Sequence, residues 1–418
     1  MVQPNPLNVG YVACERLFQP ALLGKPVVVL SNNDGCVIAR SDEAKALGIP
    51  MGLPAFKLAD LVKEHAIEVY SSNYTLYGDV SARVMTTLTQ WTPEVEVYSI
   101  DEAFLHFAPL PGDTLTAYGH TIRATLYQWT GIPVSVGIGP TKTLAKLANR
   151  LAKRSPAAKG VVILTSPSEV EATLAQTPIE DIWGIGPGYT RRLQAHAITT
   201  ALQLRNMTDR WVRQELGIVG LRLVWELRGM SCLPLALCPP PKHSVMVSRS
   251  FGRPITTLIE MREAVATYMT RAAEKLRRHH VAAGVVTVFL MTHRFTDEPQ
   301  YAHSVTMPIP VATQDTAELI RYALRGSAQI FRAGYRYQKA GVLLTALVPA
   351  HHIQAHLFDR HDRERSQKLM AAIDTINRAW GAGTIRYAAL GLRPAWMMRC
   401  TRRSPRYTTR WQELAVVR

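Results

Sequence analysis

Three consecutive prolines at positions 239–241 interrupt this chain of 418 residues. Proline fixes its own φ angle and lacks a backbone N–H, so neither a helix nor a sheet ladder continues through such a run. Proline runs instead form extended spacers. A chain of this length also exceeds what one hydrophobic core supports, which favours two to four domains. The sequence therefore predicts separately folded units joined by a linker at these prolines.

Strand and helix patterns alternate on both sides of the prolines. Strand patterns precede them at residues 26–31, 95–107, 134–138 and 161–164. Helical patterns precede them at residues 41–47, 78–91, 115–129 and 141–153. Residues 166–238 are mainly helical in pattern, and residues 245–347 have the order β-α-β-β-α-β. This order predicts a multidomain α/β (α+β) protein whose first sheet has helices on one face.

The charge of the chain favours DNA as a partner. There are 48 Lys and Arg against 32 Asp and Glu, a net charge of +16, and residues 351–418 supply +8 of it. Such an excess favours a polyanionic partner. No apolar run approaches the ~18 residues of a membrane span, and the first residues have no signal-peptide pattern. The five scattered cysteines lack zinc-ligand spacing, which predicts reduced thiols and a cytoplasmic protein.

Two adjacent carboxylates, Asp101 and Glu102, lie within the apolar strand pattern at residues 95–107. Ionised groups are costly there unless they are paired, and a divalent metal ion is one suitable partner. Neighbouring residues of a regular strand point to opposite faces, so both reach one metal cluster only if the strand bends. Two solvated acids on an edge strand are the alternative, and the pattern alone leaves both open.

Two basic segments are suited to contact a phosphate backbone. Gly184 and Gly186 precede a helix containing Arg191, in a pattern similar to a helix–hairpin–helix turn. Paired glycines let backbone N–H groups approach a phosphate, and a helix N-terminus favours negative charge. A later predicted helix carries Arg271 and Lys275 beside its apolar stripe. A plain turn and a solvated helix face are the alternatives.

Together these segments are similar to a known family. The chain resembles the UmuC branch of the Y-family, the translesion DNA polymerases, along essentially its whole length. The Ser-Asn-Asn-Asp-Gly sequence at residues 31–35 and the last matching segment are typical of the UmuC branch specifically. The matching segments are residues 25–40, 71–77, 98–104, 141–149, 181–186, 248–252, 336–342 and 404–410.

The resemblance implies a right-hand polymerase fold. Residues 1–25 and 78–165 are implied to form a ferredoxin-like palm, and residues 26–77 small fingers. A helical thumb with the helix–hairpin–helix turn is implied for residues 166–238. The β-α-β-β-α-β unit is similar to the little finger, a DNA-gripping domain, with bounds of 243–350. The remaining residues, 351–418, then form the basic tail of the UmuC branch.

The resemblance also implies roles for individual residues. Asp101 and Glu102 match the family's metal-ligand pair, which holds two Mg²⁺ ions for nucleotidyl transfer. Lys45 and Lys153 match basic positions that hold the incoming deoxynucleoside triphosphate. Tyr11 matches the aromatic residue whose ring excludes a ribose 2′-hydroxyl. The residues expected to contact DNA are Gly184, Gly186, Arg191, Arg249, Arg271 and Lys275.

One departure from the family concerns the N-terminus. The family begins with an apolar strand that carries a third metal-ligand Asp, and Pro6 occupies that position here. Gly10 replaces an aromatic residue, and Pro4 and Pro6 disfavour a central strand. Either the true start lies upstream or in another reading frame, or this copy has lost a metal ligand. Two functions are therefore open: an error-prone polymerase, and a DNA- and partner-binding remnant without catalysis.

The tail contains a short motif formed by Gln354, Leu357 and Phe358. It resembles the sliding-clamp peptide of bacterial polymerases, in which the Gln makes polar contacts and the Leu-Phe pair fills an apolar pocket. The resemblance further implies damaged primer-template DNA as substrate, and a UmuD′-like dimer and RecA as partners. It implies a role in SOS mutagenesis, in a bacterium or on a bacterial mobile element.

Overall fold

The computed structural model describes residues 3–5, 10–107, 112–238, 240–359, 361–392 and 394–415. The chain forms two compact units whose boundary falls within the proline run. Unit 1 comprises Met1–Leu30, Cys36–Pro239 and Arg402–Arg418. Unit 2 comprises Ser31–Gly35 and Pro240–Thr401. The finer division into palm, fingers, thumb and little finger stays a prediction.

Unit 1 combines short strands with helices. Its strands are β1 (Gln3–Asn5), β2 (Val27–Leu30), β3 (Val37–Arg40), β4 (Glu68–Ser71), β5 (Val95–Val97), β6 (Ala103–Leu105), β7 (Val136–Gly139) and β8 (Val161–Ile163). Its helices are α1 (Tyr11–Phe18), α2 (Asp42–Ala46), α3 (Ala59–His65), α4 (Tyr74–Leu88), α5 (Gly112–Thr130), α6 (Lys142–Arg154), α7 (Pro167–Gln176), α8 (Pro187–Ala195), α9 (Ala201–Arg205) and α10 (Asp209–Leu227).

The strands of unit 1 pair in three small groups within the described residues. The orders are β1-β7-β8, β3-β2-β4 and the hairpin β5-β6. Strand β2 is buried along its length and has a neighbour on each side, which accounts for its uninterrupted Val-Val-Val-Leu run. Strand β1 lies at a sheet edge, where Pro4 is tolerated because an edge residue need not donate a ladder hydrogen bond.

The prediction of one long strand over residues 95–107 is wrong. The chain instead makes an antiparallel hairpin of β5 and β6. The backbone N–H groups of Tyr98 and Ser99 both donate to the carbonyl of Glu102 at 3.0 Å, which closes the turn. The Ser99 hydroxyl also accepts from the N–H of Asp101 at 3.3 Å. Such local side-chain bonds compete with a strand ladder, so the strand bends at the paired carboxylates.

The helices that follow β8 enclose a separate apolar cluster, as the sequence predicts for residues 166–238. Leu174, Leu193, Leu204 and Leu227 are buried in it. Leu144 and Leu147 of α6 join the same cluster. The helical segment is therefore packed onto the helix that carries Lys146 and Lys153.

Unit 2 is built on a four-stranded antiparallel sheet of order β11-β10-β12-β9. Buried Val, Ile and Leu side chains of alternate strand positions pack against two of its helices, on one face of the sheet. The predicted order β-α-β-β-α-β is confirmed. The elements are β9 (Val245–Ile255), α11 (Leu258–Arg278), β10 (Val281–Thr292), β11 (Ala302–Thr313), α12 (Thr316–Ile330), β12 (Tyr337–Pro349) and α13 (Arg363–Trp380).

The Ser-Asn-Asn-Asp-Gly segment belongs to unit 2, although the family layout puts it in the fingers. Asn33 and Asp34 have positive φ angles of 61° and 54°, a conformation that Asn and Asp tolerate best among non-glycine residues. The Asn33 amide donates to the carbonyl of Ser250 at 3.1 Å and accepts from the N–H of Arg399 at 2.9 Å. The tail is likewise divided, since Arg402–Arg418 falls in unit 1. No helix in the described ranges is long and apolar enough to cross a membrane.

Candidate active site

A cleft of about 700 Å³ in unit 1 brings together residues from distant parts of the sequence. We call it the main cleft. Its volume lies within the ~300–1,000 Å³ typical of small-molecule sites. Four of the residues singled out from the sequence line it, and Arg40, Tyr74 and Ser135 lie beside them. Those four are Tyr11, Lys45, Asp101 and Lys153.

The turn between β5 and β6 supplies the acidic residues of the site. The Ser99 hydroxyl donates to Asp101 Oδ1 at 2.5 Å, which orients this carboxylate. Asp101 lines the main cleft, whereas Glu102 lines an adjoining cavity of about 280 Å³. Lys153 lines both cavities. The bend therefore places the two carboxylates in two cavities that share Lys153.

Glu102 forms an ion pair with Lys146 of α6 at 2.7 Å. The pair is largely buried, because the Lys146 and Glu102 side chains are 14% and 19% exposed. The Lys146 ammonium also lies over the rings of Tyr98 at 4.9 Å and Trp183 at 5.1 Å. Two aromatic faces and one carboxylate thus stabilise this cation. Lys146 was missed from the sequence because its role depends on its carboxylate partner Glu102, which is 44 positions away.

Lys153, near the end of α6, supplies a second cation of the site; the residue as a whole is exposed, although the residues lining the two cavities crowd its side chain. Burial lowers the pKa of Lys153 from its ordinary value, while the nearby charges of Glu102 and Asp101 oppose that shift. Lys146 and Lys45 add to the lowering, since like charges disfavour one another. A phosphate in the main cleft would relieve that repulsion and favour the charged lysine.

Two further cations of the main cleft come from the segment around β3. Lys45 forms an ion pair with Asp42 at 2.6 Å, but both groups are exposed, so the pair contributes little. Arg40 ends β3, and its guanidinium donates to the carbonyl of Ile49. Its buried Nε has no hydrogen-bond partner in the described structure. Arg40 was not singled out as a site residue, because a single arginine between two predicted elements has no distinctive spacing.

Aromatic rings form another wall of the main cleft. Tyr11 begins α1 and stacks on Tyr77 with ring centroids 4.6 Å apart and planes 14° apart. Tyr74 meets the Tyr11 ring edge-on at 6.0 Å. Burial raises the pKa of Tyr11, and the charge of Asp101 adds to the effect. Tyr11 is therefore a neutral, firmly backed ring that faces the same cleft as the acidic turn.

The acidic turn is suited to bind Mg²⁺. Among the described residues, no group of three or more His, Cys, Asp or Glu side chains is arranged to hold a metal ion. Mg²⁺, however, usually takes only one or two protein carboxylates and completes its shell with water and substrate phosphates. Asp101 in the main cleft and Glu102 in the adjoining cavity are the carboxylates that could fill this role. Pro6 lies outside the described residues.

The glycine turn lies ahead of α8, as the sequence predicts. Gly184 has a φ angle of +94°, which a residue with a side chain rarely adopts. Gly186 precedes Pro187 and caps the helix with its backbone. A side chain at Gly186 would meet nothing within 4 Å, so its surface is open to a ligand. Arg191 is exposed on the same helix.

The basic residues expected at DNA in unit 2 are exposed. Arg249 lies on β9, and Arg271 and Lys275 lie on α11. Burial raises the pKa of Tyr268, and the charges of Arg271 and Arg249 oppose that shift. They belong to the helix-covered side of the sheet. The opposite face carries Thr287 and Thr306, whose hydroxyls bond at 2.8 Å, and by register also Lys339.

The tail motif is exposed. Leu357 and Phe358 are 91% and 79% exposed in a turn after β12. Gln354 is exposed too, and its amide donates only weakly, to the neighbouring Ala355 carbonyl at 3.3 Å. Two adjacent, nearly fully exposed apolar side chains are unusual on a protein surface and are suited to bind an apolar pocket.

Comparison with known proteins gives consistent matches along the chain. The impB/mucB/samB family matches residues 7–150, and its C-terminal domain matches residues 242–357. A domain of unknown function matches residues 367–417. Protein UmuC of Salmonella typhimurium is 44% identical over 416 residues, covering 99% of both chains. Protein ImpB of Salmonella typhimurium is 42% identical over 417 residues, covering 99% of this chain and 98% of the relative.

A solved structure shares the fold. A Y-family DNA polymerase chimera of Dbh and Dpo4 superimposes with a TM-score of 0.66, covering 83% of this chain and 99% of the other. At 21% sequence identity, this likeness concerns the fold alone. It agrees with the mixed helix and sheet architecture described above.

Proposed function

Because the chain belongs to the impB/mucB/samB family, the UmuC branch of the Y-family DNA polymerases, we propose that it is a DNA-directed DNA polymerase that copies past lesions. The observation that supports this best is the main cleft, where Asp101, Lys45, Lys153 and Tyr11 line one cavity. A carboxylate, two cations and an aromatic wall are the groups needed to bind and orient a deoxynucleoside triphosphate. The UmuC and ImpB relatives support the branch.

Asp101 and Glu102 would hold Mg²⁺ at the acidic turn. When bound there, Mg²⁺ supplies activation of the primer 3′-hydroxyl and neutralises charge on the leaving pyrophosphate. Ser99 orients the Asp101 carboxylate through its hydroxyl. Lys146 holds Glu102 in place and balances its charge before substrate arrives. These residues preorganise the acidic turn, so the chain does not have to reorder it at each turnover.

Lys45, Lys153 and Arg40 would bind the triphosphate. Charged hydrogen bonds to phosphate oxygens are stronger than neutral ones, and the partly buried site strengthens them further. Tyr11 would face the sugar, and its stacking on Tyr77 would keep the ring in place against a ribose 2′-hydroxyl. Substrate choice would therefore depend on a rigid wall, and substrate affinity on the cations.

Contacts to DNA would be mainly to its backbone. The net charge of +16, the open turn at Gly184 and Gly186, and the exposed Arg191, Arg249, Arg271 and Lys275 support this interpretation. Phosphate contacts position a protein without reading sequence. Damaged primer-template is therefore a suitable substrate, since a lesion leaves the backbone charges in place.

We also propose that Gln354, Leu357 and Phe358 bind a sliding clamp. Their exposure supports the assignment, because the apolar pair contacts no core in the free chain. Membership of the UmuC branch favours a UmuD′-like dimer and RecA as further partners, SOS mutagenesis as the setting, and a cytoplasmic location. Family membership supports the UmuD′-like dimer and RecA as partners, without pointing to a particular surface of this chain.

A second candidate function is DNA and partner binding without catalysis. Pro6 at the position of a metal-ligand Asp is the observation that favours it. A site whose members act as a unit loses much of its rate when one is missing. The two candidates make the same prediction for DNA binding and different ones for nucleotide insertion.

Insertion of one nucleotide into a primer-template at high protein concentration tests the proposal. Asp101→Asn should abolish insertion and leave DNA affinity unchanged. Asp79→Asn is the matched control, because Asp79 pairs with Arg83 along α4 and does not line the main cleft. Insertion that is absent from the unsubstituted chain, or unaffected by Asp101→Asn, would favour the non-catalytic candidate.

A further inference from the structure

A segment of the tail, residues 402–407, packs within unit 1 beside the aromatic wall of the main cleft. The Ser71 N–H donates to the Arg402 carbonyl at 3.0 Å, and the Arg402 N–H donates to the Ser71 hydroxyl at 3.0 Å. Ser71 and Arg403 also form a parallel bridge. The segment thus extends the sheet edge at β4, immediately before helix α4. It falls within the matched domain of unknown function.

Ser404 fixes the start of α4. It is only 4% exposed, and both its carbonyl and its hydroxyl accept from the Asn73 amide at 3.0 Å. The other end of that amide, Asn73 Oδ1, caps α4 by accepting from the Leu76 N–H at 3.4 Å. An N-cap side chain sets where a helix begins. Since Tyr74 and Tyr77 lie in the first turns of α4, Ser404 governs where these rings are held.

Ser404 also donates a hydrogen bond to a buried carboxyl group that lies next to the aromatic wall. Its hydroxyl donates to Glu15 Oε1 at 3.0 Å, and the Tyr77 hydroxyl donates to the same oxygen at 2.6 Å. Glu15 is fully buried on α1, and its Oε2 has no hydrogen-bond partner in the described structure. A buried carboxylate is costly unless donors reach it, so the loss of either hydroxyl disturbs the group.

The same segment holds the far end of α1. The Tyr407 ring stacks on Phe18 with centroids 4.7 Å apart, and the Tyr407 hydroxyl accepts from the Gln19 amide at 3.2 Å. Helix α1 begins at Tyr11, so the segment contacts both helices that present the stacked Tyr11 and Tyr77 rings. None of the residues 402–407 is among those that line the main cleft.

We propose that residues 402–407 are a buttress for Tyr11, and that Ser404 is a positioning residue for nucleotide selection. The inference rests on the proposed function, because it needs the main cleft to bind nucleotides. In this role, residues 402–407 of the domain of unknown function keep the sugar-facing aromatic wall rigid. Without the buttress the Tyr11 ring moves more easily, so a ribonucleotide gains access to the main cleft and a deoxynucleotide is bound less tightly.

The test is equilibrium binding of dATP and ATP to the full chain on a primer-template that ends in a dideoxynucleotide, so that no turnover is needed. Ser404→Ala should lower the preference for dATP over ATP by about 3- to 10-fold, since the net contribution of a typical hydrogen bond corresponds to a factor of this size. Ser404→Thr keeps the hydroxyl and should retain most of the preference. Thr409→Ala, at an exposed site two residues beyond the segment, should behave like the unsubstituted chain.

A double-mutant comparison separates positioning from general damage. In a Tyr11→Ala background, Ser404→Ala should change the preference by less than about twofold, because the wall it supports is gone. Tyr77→Phe removes the other donor to Glu15 and should act in the same direction as Ser404→Ala. Thermal unfolding of each variant reports whether the fold persists.

Three results would overturn the inference. An unchanged preference in Ser404→Ala, with a selective unsubstituted chain, would refute the buttress alone. Equal effects of Ser404→Ala with and without the Tyr11 ring would mean that the residue is merely structural. An unsubstituted chain that binds neither nucleotide would refute both the buttress and the proposed polymerase function.

Discussion

The sharpest prediction concerns the exposed apolar pair in the tail. Replacing Leu357 and Phe358 with Ala should abolish association with the host's sliding clamp. The two side chains are 91% and 79% exposed, so almost all of their apolar surface is available for burial on binding. Full burial of such a side chain is worth about 1.5–3 kcal/mol. At the lower bound for each, the double substitution costs about 3 kcal/mol, roughly a 150-fold weaker Kd.

The same exposure predicts what the substitution leaves unchanged. Because neither side chain is packed in the free chain, the unfolding midpoint should stay the same. DNA affinity should also be retained, since no charge is removed. The measurement is surface plasmon resonance over immobilised clamp at constant salt, with fluorescence anisotropy for primer-template.

The matched control is the double substitution Ile259→Ala and Phe295→Ala, which truncates residues that are 73% and 84% exposed elsewhere in unit 2. It should bind the clamp normally. If Leu357→Ala with Phe358→Ala binds within about twofold of the unsubstituted chain, or if the control loses as much affinity, the clamp assignment is wrong.

Three other predictions follow from the charges. The logarithm of DNA affinity should fall linearly with the logarithm of salt concentration, and Arg271→Ala with Lys275→Ala should reduce the slope by about two, as seen by anisotropy titrations; an unchanged slope would remove both residues from the DNA surface. The pKa of Lys153 is lowered, so its positive charge should be lost, and nucleotide affinity should weaken, as the pH rises through a value below the ordinary 10.5. Lys153→Arg should show no such weakening. A flat pH profile of nucleotide affinity in the unsubstituted chain would contradict this prediction. Lys146→Met leaves the mostly buried Glu102 without its ion-pair partner and should lower the free energy of unfolding in urea by about 2 kcal/mol. Lys368→Met removes a pair whose side chains are 76% and 79% exposed and should leave the free energy of unfolding unchanged.

Local patterns predicted most of the elements. The Val-Val-Val-Leu run of β2 and the apolar stripe of α11 are each sufficient for their assignment, because burial of one strand or one helix face depends on nearby residues. The prediction of a single strand over residues 95–107 is wrong because it too depended only on the local apolar pattern. The apolar alternation there persists, but Ser99 and Asp101 bond to each other and turn the chain.

The site was predicted only as far as family motifs reach. Tyr11, Lys45, Asp101 and Lys153 line one cleft, although nothing local to any of them indicates the others. Lys146 escaped notice because its carboxylate partner is on another element. Ser404 and Glu15 are 389 positions apart, and no periodicity connects them. Such contacts exist only once the chain has folded, and local sequence patterns do not reveal them.

Primer extension by three forms of the chain tests the central claim most directly, namely that the acidic turn in the main cleft carries out nucleotidyl transfer. The forms are the chain as it stands, the chain with residues 1–10 rebuilt to the family pattern with Asp at position 6, and the rebuilt chain with Asp101→Ala. The first should bind primer-template but extend it feebly. The second should extend it faster by orders of magnitude, and the third should lose that gain, because the carboxylates act as a unit. No extension by the rebuilt form with its partners present would contradict the account and favour a DNA-binding protein without catalysis, and robust extension by the first form would show that the third carboxylate is dispensable.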